Sequence, residues 1–318
     1  MSRSSRARRR TAASLLSAAV AAVVTFGGTA VATADVFQTP TGPQHVNGAI
    51  LATYRAQGGT LGPLSYPITG ERGTPDGLGR YNLFQRGGIY WTPWTGAHAI
   101  SGQIWSWYAL LGWEAGPLGY PITSELSTPD GRARFTAFQH GVIYQLPQRM
   151  PRHVRGAIYQ RYASLGWETS PLGYPLTDEL GTPDGRGRFN DFQGGLIYWT
   201  PWTGAHAVWG SIRQAYGGQG FETGRLGYPV TSELPTGDGI GRFNHFERGS
   251  IYWTSETGAH PVAGEIRDTW AALGWENSEL GYPTTDEYAV PDGGRVQEFE
   301  FGWIELYPGD GAAVYLDS

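Results

Sequence analysis

The 318-residue chain contains no cysteine and no lysine, so all 23 of its basic residues are arginine. Without cysteine there is no disulfide framework and no thiolate to act as nucleophile or metal ligand. Without lysine there is no Schiff-base amine and no phosphate-loop ammonium. A membrane-length apolar run is also missing. The one extended apolar stretch, TAASLLSAAVAAVVTFGG, is short and rich in alanine. Neither G-x-S-x-G nor H-E-x-x-H occurs, which removes two local signatures of hydrolytic centres. Basic charge is in deficit too, with a formal net charge of −5. An acidic surface repels phosphate backbones, so nucleic acid is not an expected partner.

What is present begins with an export signal. MSRSSRARRR is a basic n-region, the apolar stretch follows, and AVATAD offers small-x-small cleavage patterns after Ala32 or Ala34. Residues 1–34 are read as a signal peptide and residues 35–318 as the mature protein, with an uncleaved anchor as the alternative. The arginine cluster Arg8, Arg9 and Arg10 leaves both general and twin-arginine export open. Cleavage removes five arginines and no acid, taking the formal charge from −5 to −10. The result is a secreted, extracellular or wall-associated protein with no membrane span.

Self-similarity dominates the remainder. LSYP stands at 64–67, and LGYP at 118–121, 172–175, 226–229 and 280–283, each 54 residues after the last. The ten residues IYWTPWTGAH occur twice, at 89–98 and 197–206, two steps of the same ruler. TPDGLGRYNLFQRGGIYWTP in the first unit returns as TPDGRARFTAFQHGVIYQLP, TPDGRGRFNDFQGGLIYWTP and TGDGIGRFNHFERGSIYWTS, and in worn form as VPDGGRVQEFEFGWIELYP. Five such units fill nearly all of 35–318 and leave no room within it for a separate catalytic domain.

Each unit reads as a short helix plus a β-hairpin. Ile100, Ile104, Tyr108 and Leu111 share one helical face. Gly112, Gly166 and Gly274 stand where a helix ends in the left-handed conformation. RFNDFQGGLIYWTP carries two β-rich apolar runs around a glycine turn. One unit cannot bury its own apolar faces, but a row of them can. The chain starts and ends inside a hairpin tail and shows no polar cap. This predicts an α+β repeat protein closed as a pseudo-five-fold, propeller-like ring, with an open curved solenoid as the alternative.

These L-G-Y-P cores, set in G-W-E-x-G-P-L-G-Y-P-x-T and followed by P-D-G and I-Y-W, resemble the LGFP repeat family over residues 36–316. Tyrosine replaces the phenylalanine of the name in every copy, and Ser65 replaces a glycine. The resemblance implies an exported envelope module of high-GC Gram-positive bacteria, found alone or fused to mycolyl-transfer, esterase or amidase domains. It implies attachment to wall polysaccharide, with arabinogalactan a candidate ligand.

Four sets of residues are candidates for function. Asp76, Asp130, Asp184, Asp238 and Asp292 stand in Asp-Gly turns, with Arg80, Arg134, Arg188, Arg242 and Arg295 after them. Glu71, Glu125, Glu179, Glu233 and Glu287 precede the turns. These groups can fix turn and hairpin, hydrogen-bond sugar hydroxyls, or supply oxygen to calcium. His45, His98, His153, His206 and His260 are read as entering the helices, where they brace the joint or bind sugar. Trp113, Trp167 and Trp275, with Phe221, recur as packing residues. Trp91, Trp199 and Trp253 are replaced by Gln145 and Leu306 in the other units, and Trp94 and Trp202 are also variable. That variability places them near the surface, where flat rings stack on sugar faces.

The expected glycan-binding set is therefore Trp91, Trp94, His98, Trp199, Trp202, His206, Trp253 and His260. Catalytic residues, metal and cofactor are none. The expected function is multivalent, non-catalytic binding of cell-wall polysaccharide, either arabinogalactan-like or a peptidoglycan-associated glycan. A protein-interaction scaffold with an envelope protein partner is one alternative. A secreted glycan or ester hydrolase using Glu114 or Glu168 is the other.

Overall fold

A computed structural model describes residues 34–317, so the signal-peptide reading lies outside the described residues. The chain opens with an antiparallel hairpin of β1 (Ala34–Thr39) and β2 (Gly42–Asn47). Five units follow, each a helix, a loop carrying the L-x-Y-P core, and a four-stranded antiparallel sheet. Unit one comprises α1 (Gly48–Ala56), β3 (Arg72–Gly73), β4 (Arg80–Phe84), β5 (Gly87–Thr92) and β6 (Gly96–Ser101). The helices of the later units are α2 (Gly102–Leu110), α3 (Gly156–Leu165), α4 (Gly210–Gly218) and α5 (Gly264–Leu273). The five-unit helix-plus-hairpin expectation holds, and each hairpin is widened to a sheet.

The joint between sheet and helix differs from expectation. His98, Ile100 and His206 lie in the last strand of their sheets, not in the helix. Strand passes into helix with no loop because the first helical residue is always glycine, with φ between 50° (Gly48) and 59° (Gly264). A side chain at that φ is strained, so only glycine makes the bend cheaply. The helix ends match expectation: Gly112, Gly166 and Gly274 have φ of 89°, 100° and 110°.

Each helix packs between the preceding sheet and its own. In the last turn of every helix a fully buried ring carries a polar handle. Tyr108, Tyr162 and Tyr216 donate their hydroxyls to the carbonyls of Gly119, Gly173 and Gly227, the glycines of L-G-Y-P, at 3.0, 2.8 and 2.8 Å. Tyr54 does the same to Ser65, and Trp270 uses its indole N–H on Gly281. Trp113, Trp167, Phe221 and Trp275 pack edge-on against these rings, as a packing role requires.

Two devices join units. Asn82, Asn190, Asn244 and Gln297 are fully buried, and each side-chain amide donates to a backbone carbonyl of the preceding sheet. In unit two this residue is Thr136, whose buried hydroxyl has no partner among the described residues. The second device uses the tyrosine of L-G-Y-P. Tyr120, Tyr174, Tyr228 and Tyr282 reach back to the Asp-Gly turn of the preceding unit, where their hydroxyls meet Asp76, Asp130, Asp184 and Asp238. Tyr66, first in the series, has no earlier turn to reach and is exposed.

Partial burial pushes these four aspartates up, but hydrogen bonds from backbone, threonine and tyrosine outweigh it and hold them below the ordinary carboxylate range. A depressed folded pKa adds stability above the unfolded value, and that stability is lost as pH falls through the folded one. Tyr228→Phe is expected to lower stability at pH 7 by about 1.5–3 kcal/mol, as for a hydrogen bond to a charged group. The deficit shrinks as pH falls through the depressed folded value, where the aspartate protonates. Urea unfolding at pH 7 and in acid checks this, with Tyr66→Phe as the variant that should change little.

The six sheets are separate, and among the described residues no strand pairing joins the first hairpin to the last sheet. The outer faces at both ends are open to solvent, with Val36 and Tyr315 exposed. The last sheet carries Glu298, Glu305 and Trp303 on the side where inner sheets meet the next helix. That gives it the polar cap that the sequence reading did not find.

Candidate functional site

In units three and four a cleft opens where the sheet meets the helix before it, and the residue pairs that line it have counterparts in the other units. In β4 and β5, Arg80 lies directly across from Trp91, so both side chains leave the same face of the sheet. The pairs Arg188–Trp199 and Arg242–Trp253 are equivalent. Units two and five have Arg134–Gln145 and Arg295–Leu306. Beside each arginine stands the glutamate that precedes the Asp-Gly turn. Glu71, Glu179 and Glu233 lie 3.7, 3.5 and 3.6 Å from their arginines. Glu125 pairs with Arg134, and Glu287 with both Arg295 and Arg225.

The cleft of unit three has a volume of about 370 Å³ and is lined by Glu179, Arg188 and Trp199, with Arg155 and His140 from unit two. The cleft of unit four, about 250 Å³, has Glu233, Arg242 and Trp253, with Trp209 in the place of Arg155. The first lies at the small end of ligand sites, roughly 300–1,000 Å³, and the second falls just below it. The chemistry is a half-buried flat ring beside an acceptor and a fork of donors.

Glu233 is distinctive. Burial pushes its carboxyl up to about 7, although Arg242 and a hydrogen bond from Trp209 pull the other way. A raised folded pKa gives stability that is complete below the unfolded value and is lost as pH rises through about 7. Glu233→Gln is therefore expected to raise the thermal unfolding midpoint at pH 8 and to flatten its pH dependence between about 4.5 and 7. Melting curves across that range check it, and an unchanged slope would refute it.

The expected binding residues are only partly brought together. Trp91, Trp199 and Trp253 are half-buried in the clefts, each packed against the apolar cluster of its own unit's helix. His98 pairs with Tyr90, not Trp91, and so lies on the opposite face of the sheet. His206 and His260 are placed likewise. Their Nε2–H groups donate to the turn carbonyls of Thr95, Thr203 and Thr257 at 2.6, 2.6 and 2.9 Å. Burial pushes His98 and His206 down and keeps them neutral. Trp94 and Trp202 stand at the turn tips, 72 % exposed, and Arg186 lies 5.7 Å over the Trp202 ring. His45 and His153 are in a different register from the other three, matching Ala99 and not His98.

The Glu–Arg–Trp grouping was not assembled from sequence, although one signal was available. A two-residue turn at Gln85–Arg86 sets Phe84 opposite Gly87, and counting outward places Arg80 opposite Trp91. Glu168 and Glu222 accept hydrogen bonds from Tyr144 and Tyr198 at 2.7 and 2.8 Å, so each is engaged by the sheet of the preceding unit. Among the described residues no three or more His, Asp or Glu side chains gather as a metal site, and no helix is long and apolar enough to cross a membrane.

The family model for the LGFP repeat matches residues 64–116, 118–170, 172–224, 226–278 and 280–315. Comparison with curated proteins gives no match. Solved structures that match include the extracellular domain of the one component system BT4673 from B. thetaiotaomicron, at 13 % identity over 78 % of this chain and 31 % of that one, with a TM-score of 0.17. The luciferin-regenerating enzyme matches at 6 % identity over 80 % of this chain and 76 % of that one, with a TM-score of 0.14. Dihydro-heme d1 dehydrogenase NirN matches at 10 % identity over 79 % and 47 %, with a TM-score of 0.15. This chain spans less than a third of the first of them.

Proposed function

Because the chain belongs to the LGFP repeat family, we propose that it is an exported, non-catalytic module that binds cell-wall polysaccharide through several weak sites at once. The observation that carries this reading is the repeated grouping in which tryptophan faces arginine across two strands beside a partly buried glutamate, in three of five units, with a cleft over it in units three and four. Flat rings cover the C–H faces of sugars, while the ion pair offers donors and acceptors to hydroxyls. Each cleft binds weakly, and a polymer engages several together. The protein works outside the cell, on the wall or near it. The exposed end faces favour the open curved row over the pseudo-five-fold ring, and small-angle scattering separates the two shapes.

The test is retention of the purified protein on isolated wall polysaccharide, with soluble fragments as competitors. Retention that fragments compete away supports the reading, and passage straight through refutes it. Capture of an envelope protein that glycan does not displace would mark an interaction scaffold instead. Release of sugar or acyl products would mark a hydrolase.

A further inference from the structure

The clefts are copies in outline but not in charge, and the residue closing each one from the preceding sheet sets the difference. That residue is Asn47, Ser101, Arg155, Trp209 and Ala263 in chain order, the last before each helix. Only in unit three does it add a cation to a cleft that also keeps its tryptophan. Arg155 donates to Glu179 at 2.8 Å, and Arg188 stands 3.5 Å from the same carboxylate. Two guanidiniums thus share one carboxylate, with His140 on the same wall. The Nε–H of Arg155 is buried and has no acceptor among the described residues, and an unmet buried donor on a charged group is costly. In unit five Glu287 also meets two arginines, but Leu306 has replaced the ring.

We infer that the cleft of unit three selects a sugar bearing an oxyanion, with Trp199 under the ring and Arg155 as the residue that determines specificity. This rests on the polysaccharide reading above and narrows it. One positive charge is left over in the cleft of a chain whose net charge is −5. A guanidinium fork pairs with carboxylate or phosphate through two parallel hydrogen bonds. The cleft of unit four, with Trp209 in the place of Arg155, has only one guanidinium, Arg242, beside its carboxyl group.

The test is titration of the purified protein with three probes: trigalacturonate, its carboxyl-reduced neutral counterpart, and glucose 1-phosphate. The same titrations are run on Arg155→Ser, the residue that unit two carries in this place, where Ser101 hydrogen-bonds Glu125 at 3.1 Å. The expected result is tighter binding of an acidic probe than of the neutral one. Arg155→Ser should weaken the acidic probe about tenfold or more, as for loss of a charge-assisted pair. Neutral binding should fall much less than acidic binding, and the preference should fade at high salt. Whichever acidic probe is preferred identifies the oxyanion. Equal binding of acidic and neutral probes, or a preference that survives Arg155→Ser, overturns the inference. Retention on wall polysaccharide without any acidic preference also overturns it and leaves the polysaccharide reading standing. Absence of both overturns the two together.

Discussion

Replacing Trp91, Trp199 and Trp253 together with leucine is expected to cut retention on wall polysaccharide by roughly 10- to 1,000-fold. An aromatic contact contributes about 0.5–1.5 kcal/mol beyond burial, and every 1.4 kcal/mol is about tenfold in affinity. Three clefts engaged on one polymer therefore lose about 1.5–4.5 kcal/mol. Each single variant should lose about tenfold at most. Leucine is the informative choice because unit five carries Leu306 in this position. It keeps apolar contact with the cluster beneath while removing the flat ring. Glutamine, as in unit two, is the second variant. There Gln145 turns onto its own loop and donates to Arg149. The measurement is column retention alongside a melting curve. Full retention by a triple variant that still melts like the parent would exclude the clefts. Loss confined to Trp94→Ala with Trp202→Ala would move recognition to the turn tips.

The largest expected effect on stability comes from the buried ring in the last turn of the helix. Tyr216→Ala should lower stability by about 3–5 kcal/mol, the range for removing a fully buried aromatic side chain. Tyr216→Phe should lose about 1 kcal/mol, the net value of its bond to Gly227. Units in a row are stabilised by their neighbours. Denaturation of Tyr216→Ala should therefore become less cooperative, with unit four opening before the rest. Hydrogen exchange resolved by unit checks this. An alanine variant that unfolds in one step with under 1 kcal/mol lost would show that the ring does not organise its unit.

Much of this architecture was legible because 54-residue periodicity speaks directly in the letters. The glycines that end the helices and the Asp-Gly turns were readable for the same local reason, since few residues tolerate those backbone angles. The strand Gly96–Ser101 was not readable. Its sequence, GAHAIS, has weak strand propensity, and pairing with the neighbouring strand is what extends it. His98 was therefore taken as a helix entrance and grouped with Trp91, when strand alternation sends the two side chains to opposite faces. The clefts were hidden more deeply. Their parts come from the loop, two strands and the preceding sheet, so only register and packing bring Arg155 next to Glu179. Tyrosine in place of the family's phenylalanine looked like a mild departure. Its hydroxyl proves to be the donor that closes each joint on the turn behind it.

That backward reach has an evolutionary reading. Every inner block of 54 residues holds an acceptor for its successor and a donor for its predecessor. A tandem duplication of one block therefore arrives with matching ends and slots between existing neighbours without compensating substitutions. Copy number can change in a single recombination event, and each extra block brings its own Glu–Arg pair.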